Sequence, residues 1–366
     1  MTRTRLRILV GILVAAAALY APYYFQAPTN ADLSMAIYFA IAAMGLNLLT
    51  GFNGQISIGH GAFFGVGAFT SAILVDSYGW SYELTLPVAA LLAAGLGVLV
   101  GIPALRVRGL YLALVTLGLA VLFPRVALKY VDGTGGTALV RPDRDSFDSL
   151  LTFLANDQWE YVECLVVAVV LFVLAWNLSR SRIGRAMVAV RDQELAASTV
   201  GIHLARVKVG TFALSAAYAG IAGGLSVMVD KAADATDPTL AFRNSIEFLV
   251  AVVIGGTATI LGPAVGALIL VFLRTRTDGL IEGKEILSPA IFGAALIAVV
   301  FVLPDGVVGG LRRLTDRLLP ARAGEEANLA GATAMRGDAV AGSDDAVDDP
   351  DPPGAPPGPP PTKENP

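Results

Sequence analysis

The sequence predicts an all-α, polytopic transmembrane helical bundle, and three observations carry that prediction. The 366 residues are 55% hydrophobic and only 15% charged, with a mean hydropathy of +0.66, against about 45–50% apolar and about 25% charged residues in a soluble domain. That leaves too little polar surface for a water-soluble globule. Apolar runs of the length that a spanning helix needs, about 20 residues, recur along most of the chain, and the bases between them alternate in a way that sets orientation.

In chain order the nine apolar stretches are Leu6–Phe25, Leu33–Thr50, Ile56–Val75, Leu84–Leu105, Leu110–Leu128, Tyr161–Leu178, Val209–Val229, Ser245–Leu273 and Ile286–Leu303. The first follows Arg3, Arg5 and Arg7. A secretion signal also begins this way, but a chain hydrophobic throughout does not need one, and a retained span is expected. Short cytoplasmic connections carry an excess of Lys and Arg. The amino end has three Arg, Arg106 and Arg108 share one connection, and Ser179–Lys208 holds six bases against two acids. The intervening connections are acid-biased and are expected outside: Asp76–Glu83 has two acids and no base, Lys129–Glu160 six acids and three bases. Nine crossings beginning inside would leave Arg312, Arg313 and Arg317 outside. Ser245–Leu273, interrupted by Gly255-Gly256-Thr257 and Gly262-Pro263, is therefore read as two broken segments. That gives ten crossings in the cell (inner or plasma) membrane, with the N- and C-termini both cytoplasmic.

Residues 1–320 thus form the membrane domain, with a cytoplasmic loop at about 179–208. From Ala321 the composition shifts to Ala, Gly, Asp and Pro. This segment has nine acids and three bases, net −6, which leaves +2 for Met1–Pro320 and accounts for the chain's −4. It cannot bury enough apolar surface to offset the entropy of ordering, so 321–366 is expected to be a disordered acidic, Pro-rich cytoplasmic tail.

The missing motifs exclude several chemistries. No Gly-x-x-x-x-Gly-Lys-Ser/Thr run occurs to cradle phosphates, so this chain is expected not to be an enzyme that hydrolyses ATP. His60 and His203 are the two histidines and do not fall in a zinc-ligand spacing, while Cys164 stands alone. No metal site, no cofactor and no intrachain disulfide is predicted. No Lys/Arg stripe points to nucleic acid. Gly59, Gly61, Gly65 and Gly67 fit close helix packing better than a dinucleotide fingerprint.

Four stretches carry positive information. Between Ala40 and Leu74, the polar residues Asn47, Asn53, Gln55, Ser57 and His60 meet glycines at the membrane boundary, where unsatisfied polar groups are costly. They either satisfy a helix break or line a polar path. In Leu105–Phe123, residues Tyr111, Thr116 and Gly118 give a helix suited to facing others. In Ser181–Lys208, residues Ile183, Met187 and Val190 fall on one helical face while Arg185 and Arg191 project elsewhere. Asp192 is placed to cap a second short helix with Gln193 and Glu194 in its first turn, and Gly201 to end it. Such a hairpin is either a membrane-surface element or a dock for a soluble partner. In Asn244–Leu270, Glu247 is an intramembrane acid, a functional hypothesis by default, with Arg243 as an ion-pair partner. Gly255, Gly256, Gly262 and Pro263 break the helix, as transport pathways commonly require.

Together these stretches resemble the membrane permease subunits of branched-chain amino acid ABC importers, in the longer of their two permease types, over roughly Leu33–Leu303. The diagnostic pattern is Gly184-Arg185, Ala189, Arg191-Asp192, Glu194, Ala196-Ala197 and Gly201-Ile202. It is supported by Gly51-x-x-Gly54-Gln55-x-Ser57-x-Gly59-His60 and by Ser245-Ile246-Glu247 followed by Gly255-Gly256 and Gly262-Pro263. The resemblance implies an ABC importer permease fold in which Ile183–Ile202 is a coupling loop seated in a groove of the ATPase. It also implies a complex of two permeases (a heterodimer), two ATP-binding cassette ATPase subunits and an extracytoplasmic substrate-binding protein, all on the lipid bilayer. Gln193, Ser198 and His203 depart from the usual pattern, as does the acidic tail. Relatives of this type also serve urea, short amides and other amino acids. The competing class is a secondary transporter driven by an ion gradient, for which Glu247 is the single intramembrane carboxylate candidate. Asn47, Gln55, Ser57, His60 and Glu247 are the expected pathway residues.

Overall fold

Among the described residues the apolar runs fold as helices, and the glycine-rich interruptions at 53–59 and 256–261 separate them. The computed structural model describes residues 18–105, 110–130, 139–142, 155–279, 293–294, 297 and 306–310, all within one contact unit, Met1–Arg312. Helix α1 is Ala27–Asn47, followed by a π-helical turn at Leu48–Phe52; α2 is His60–Tyr78, α3 Tyr82–Ala104, α4 Leu110–Tyr130 and α5 Asn156–Arg180. Two short helices follow, α6 (Arg182–Asp192) and α7 (Glu194–Thr199), then α8 (Leu204–Asp230), α9 (Leu240–Gly255) and α10 (Gly262–Gly279). Strands β1 (Leu139–Val140) and β2 (Ala233–Asp234) form one antiparallel ladder, Leu139 facing Asp234 and Val140 facing Ala233.

Among the described residues six helices are long and apolar enough to cross a membrane: α1 with its π turn, α2, α3, α4, α5 and α8. The chain is an integral membrane protein of helical-bundle architecture. Ser245–Leu273 is interrupted at 256–261, so α9 and α10 are separate helices. The expected run from Ile56 is helical only from His60. Leu6–Phe25 is described from residue 18, with 18–24 helical. Ile286–Leu303, apart from 293, 294 and 297, lies outside the described residues, as do Arg106, Arg108 and the tail 321–366.

Helix α8 is the central post, packed against α1, α2 and α3, with α10 and α9 closing on α1. Lipid tails are as apolar as leucine, so close van der Waals contact rather than water exclusion must hold such helices together. Small residues provide it. A Cβ on Gly223 of α8 would run into the Phe64 carbonyl of α2, and one on Gly224 would come within 2.7 Å of Leu86 of α3. The same reason explains why α3, α4 and α5, rich in exposed Leu and Val such as Leu91, Leu99, Leu122, Val169 and Leu174, form the periphery.

Candidate functional site

The chain leaves α1 through the π turn, passes Gly54 in the left-handed region (φ 72°), and re-enters a helix at His60. π turns inside helices are rare and concentrate at functional positions. Asn47, fully buried, faces the second break, between α9 and α10. Its Nδ2 donates to the Thr259 carbonyl at 2.7 Å, and its Oδ1 accepts from the Ala258 amide at 2.9 Å. One side chain thus satisfies two backbone groups that the break has freed. Ala258 itself sits at φ 56°, a conformation that costs an alanine strain unless its surroundings enforce it. Gly51 lies between the two breaks: a side chain there would strike Asn47 Oδ1 and come within 2.6 Å of the Ala258 nitrogen.

The hairpin α6–α7 closes on this junction. Ser181 caps α6, accepting from the amides of Ile183 at 3.1 Å and Gly184 at 3.3 Å. The buried face is Gly184, Met187 and Val190, whereas Ile183 is 58% exposed. The expected stripe is corrected by one position, because Gly184 packs against the Leu178 and Ser179 carbonyls with no room for a side chain. Arg191 turns inward: its Nη1 donates to the Gly51 carbonyl at 2.9 Å, its Nε donates to Asp192 Oδ1 at 2.9 Å, and its stem packs on Gly54. Asp192 ends α6 in this ion pair, and Gln193 takes the N-cap position of α7. Glu194 pairs with Lys208 at 2.6 Å, and the Lys208 carbonyl accepts from Gln55 Nε2 at 3.3 Å. Arg185 donates to the Arg180 carbonyl at 3.0 Å. Ala197 is buried, Ala189 half-buried and Ala196 exposed, and Gly201 at φ 86° follows the end of α7. The hairpin's outer side shows Leu195, 77% exposed, and Val200, 75% exposed.

His60 begins α2 and is fully buried. The Ser215 hydroxyl donates to the Gly45 carbonyl, so its one proton is used, and the contact between Ser215 Oγ and His60 Nε2 needs the imidazole proton on Nε2. Nδ1 then accepts from Ser57 at 3.0 Å. Thr116 of α4 accepts from the Ile58 amide at 3.0 Å, and Ser245 of α9 accepts from the Gly61 amide at 2.7 Å. Apart from Asn53, whose buried side-chain amide has no hydrogen-bond partner, these polar groups each have a partner on another helix or in their own loop, which is what a low-dielectric surrounding demands.

Glu247 of α9 is buried between two arginines: Arg274 of α10, Nη1 to Oε2 at 3.3 Å, and Arg243, Nε to Oε1 at 3.9 Å. The sequence pointed to Arg243 and missed Arg274. Beside them lies a cavity of about 320 Å³ lined by Phe39, Phe64, Phe69, Asp230, Arg243 and Arg274, among others. Tyr38 donates to Asp230 at 3.2 Å at its edge. Among the described lining residues none is Asn47, Gln55, Ser57, His60 or Glu247. Those five are buried in packed contacts between elements instead.

A family model described as branched-chain amino acid transport system / permease component matches residues 30–300. The chain belongs to this family. It is 29% identical over 322 residues to the high-affinity branched-chain amino acid transport system permease protein LivM of Escherichia coli, covering 82% of this chain and 74% of the relative. It is also 26% identical over 312 residues to LivH of the same organism, covering 78% and 96% respectively. The ribose import permease protein RbsC of Haemophilus influenzae is 26% identical over 323 residues, covering 81% and 91%. No solved structure matches. As a permease component, the chain is a transport subunit, and its unusual features are the two joined helix breaks and the hairpin docked on them. Asp230, Tyr38, Lys208 and Arg274 escaped the sequence reading because each acquires meaning only from a partner on another helix.

Proposed function

We propose that this permease is the membrane subunit of an ATP-driven importer of branched-chain amino acids, with the hairpin around Gly184–Gly201 as the element through which ATPase subunits move it. The observation that carries this reading is the hydrogen bond from Arg191 to the Gly51 carbonyl. A solvent-facing hairpin is thereby fixed to the π turn, and through Asn47 to the break between α9 and α10. A load on α6–α7 reaches both breaks without passing through a loose linker.

In this reading residues 1–320 are the membrane domain, both termini and the 179–208 loop face the cytoplasm, and 321–366 is a solvated extension. Two ATPases bind from the cytoplasmic side, a second permease completes the membrane portion, and an extracytoplasmic binding protein delivers substrate. Exposed Leu195 and Val200, with Arg185, supply the hairpin's contact surface, while Arg191, Asp192 and Glu194 brace it internally. Asn47, Gln55, Ser57, His60 and Glu247 hold the two breaks in register beside the translocation path. Transport follows if the ATPases grip the hairpin differently in their two nucleotide states, since a partner shifts an equilibrium only by its differential affinity. The substrate class follows the relatives' names, LivM and LivH.

The test is uptake of radiolabelled leucine by the full complex in proteoliposomes with internal ATP, its binding protein outside. Uptake that needs ATP and is lost with Leu195→Glu supports the reading. Uptake that survives ATP depletion while an ion gradient persists replaces it with a secondary transporter.

A further inference from the structure

The end of α5 nearest the hairpin carries a surface distinct from the hairpin's own. We propose that it is a binding site for the headgroup of an anionic phospholipid, built from Trp176, Arg180 and Arg182, in the bilayer leaflet on the hairpin's side. That leaflet is the cytoplasmic one in the proposed orientation, and the site does not depend on the importer reading. Helix α5 has two unlike faces. Cys164, Ala168, Leu171 and Ala175, three and four residues apart, are buried in the core of the bundle, and three of the four are small, which lets helices approach closely in a membrane. Val166, Val169, Val173 and Trp176 repeat at the same spacing on another face, each between 46% and 55% exposed, and none is small. That face suits lipid chains better than a second helix.

The exposed stripe ends in charge. Arg180 lays its guanidinium over the Trp176 indole, 4.4 Å from the ring centroid, and Arg182 follows; both arginines are exposed. Tryptophan at the end of a spanning helix sits at the headgroup level, and the indole holds the Arg180 charge there. The backbone between the two arginines is fixed, because Ser181 caps α6 through the Ile183 and Gly184 amides and Arg185 Nη1 donates to the Arg180 carbonyl at 3.0 Å. Among the described residues none of Arg180, Arg182 and Arg185 has a carboxylate partner. The hairpin's own acids are engaged elsewhere, Asp192 with Arg191 and Glu194 with Lys208. A ligand that fits this corner brings negative charge to the headgroup level, where guanidinium forks pair with phosphate oxygens, and an apolar body that lies along Val173, Val169 and Val166. An anionic phospholipid has both, whereas inorganic phosphate or an acidic protein surface supplies the charge alone. Because α6 starts at Arg182, the bound headgroup holds the root of the hairpin at the membrane surface.

The experiment is fluorescence quenching of Trp176 by brominated lipids. The chain has three tryptophans, and Trp159 stands in the first turn of α5, about 25 Å from Trp176 along the helix. The full chain carrying Trp80→Phe and Trp159→Phe therefore reports on this corner alone. It is reconstituted in phosphatidylcholine nanodiscs in which brominated phosphatidylglycerol or brominated phosphatidylcholine replaces part of the lipid. The brominated phosphatidylglycerol is expected to quench at a mole fraction about fivefold lower or more, since one base near the membrane surface favours an anionic lipid by about that factor (about 1 kcal/mol). In Arg180→Gln/Arg182→Gln the two lipids are expected to quench alike, while quenching by the phosphatidylcholine stays at the parent's level and shows that Trp176 still faces lipid in a folded chain. Arg180→Lys/Arg182→Lys is expected to keep more of the preference than the glutamine pair, and inorganic phosphate at matched ionic strength to leave it in place. Equal quenching by the two lipids in the parent, or a preference unchanged by the glutamine pair, overturns the site. Abolition by inorganic phosphate replaces it with a free-anion site. No lipid preference, together with loss of ATPase association in the glutamine pair, gives the arginines to a protein partner instead.

Discussion

The Arg191 guanidinium lies 2.9 Å from the carbonyl oxygen of Gly51, joining a hairpin outside the membrane spans to the one π-helical turn among the described residues. A π turn leaves backbone carbonyls poorly matched to intrahelical donors, and a charged fork from another element can take one up. The contact also fixes how the hairpin is oriented, because the Arg191 stem lies on Gly54, where a side chain would collide with it.

Replacing Arg191 with alanine is expected to separate ATP hydrolysis from transport. The side chain is about one-third exposed, so solvent screens the bond and the stability loss is small, about 1 kcal/mol. Leucine uptake is expected to fall about tenfold, the rate equivalent of about 1.4 kcal/mol, while the complex keeps hydrolysing ATP. Arg191→Lys should fall between, since an ammonium keeps the charge but not the fork that binds Asp192 and Gly51 together. Parallel uptake and ATPase assays on one preparation decide it: equal losses in both would show a failure of assembly instead.

Asn47 is the companion joint, and its two bonds run in opposite directions. Hydrogen bonds between helices in membranes average about 0.6 and reach about 1.7 kcal/mol, so Asn47→Ala is expected to cost about 1–3 kcal/mol. Asn47→Asp is expected to cost more. It keeps an acceptor for the Ala258 amide but sets a carboxylate oxygen against the Thr259 carbonyl at full burial. Thermal denaturation in detergent gives the ranking, and an Asp variant as stable as the parent would show that water enters the junction.

How much of this was legible in the sequence depends on the reach of the physics involved. The helices were legible because a bilayer admits little else for an apolar run, and the break at 256–261 because Gly255, Gly256, Gly262 and Pro263 crowd it. The π turn was not: the sequence ends an apolar run at Thr50 and places a break or polar path between Asn47 and His60, but the π geometry of Leu48–Phe52 goes with Asn47 meeting residues more than 200 positions away. Arg243 was legible as the i,i+4 neighbour of Glu247. Arg274 was not, because no local period links it to that acid. Arg191 is the instructive error. It stands four residues after Met187 and therefore on the packed face of α6, yet its charge argued for solvent, and only the carbonyl waiting at Gly51 resolves the conflict.

Glycine substitutions should divide by what a Cβ would meet. Gly51→Ala forces a methyl against Asn47 Oδ1 and Ala258, and overpacking of this kind costs about 1–3 kcal/mol. Gly95 of α3 has nothing within 4 Å of its would-be Cβ. Gly95→Ala is therefore expected to be neutral, or to gain up to about 1 kcal/mol from helix propensity. Thermal midpoints of the two variants test the contrast. A destabilised Gly95→Ala complex beside an unaffected isolated chain would mark that face of α3 as a subunit contact.

The charge group on α9 and α10 gives the most demanding prediction. Glu247 is buried while its partners are partly exposed: Arg274 is 34% exposed and Arg243 is 49% exposed. Breaking a fully buried pair costs about 3–5 kcal/mol because a charge is stranded, but solvent reaches both arginines, so Glu247→Gln is expected to cost about 1–2 kcal/mol. The double variant Glu247→Gln/Arg274→Gln strands one fewer charge and is expected to recover part of that loss. A coupling energy of about 0.5–1.5 kcal/mol is expected from the cycle. The cycle for Glu247 with Arg243 should give less, because that contact is longer, 3.9 Å against 3.3 Å. Reversal of this order in thermal denaturation would make Arg243 the principal partner of Glu247.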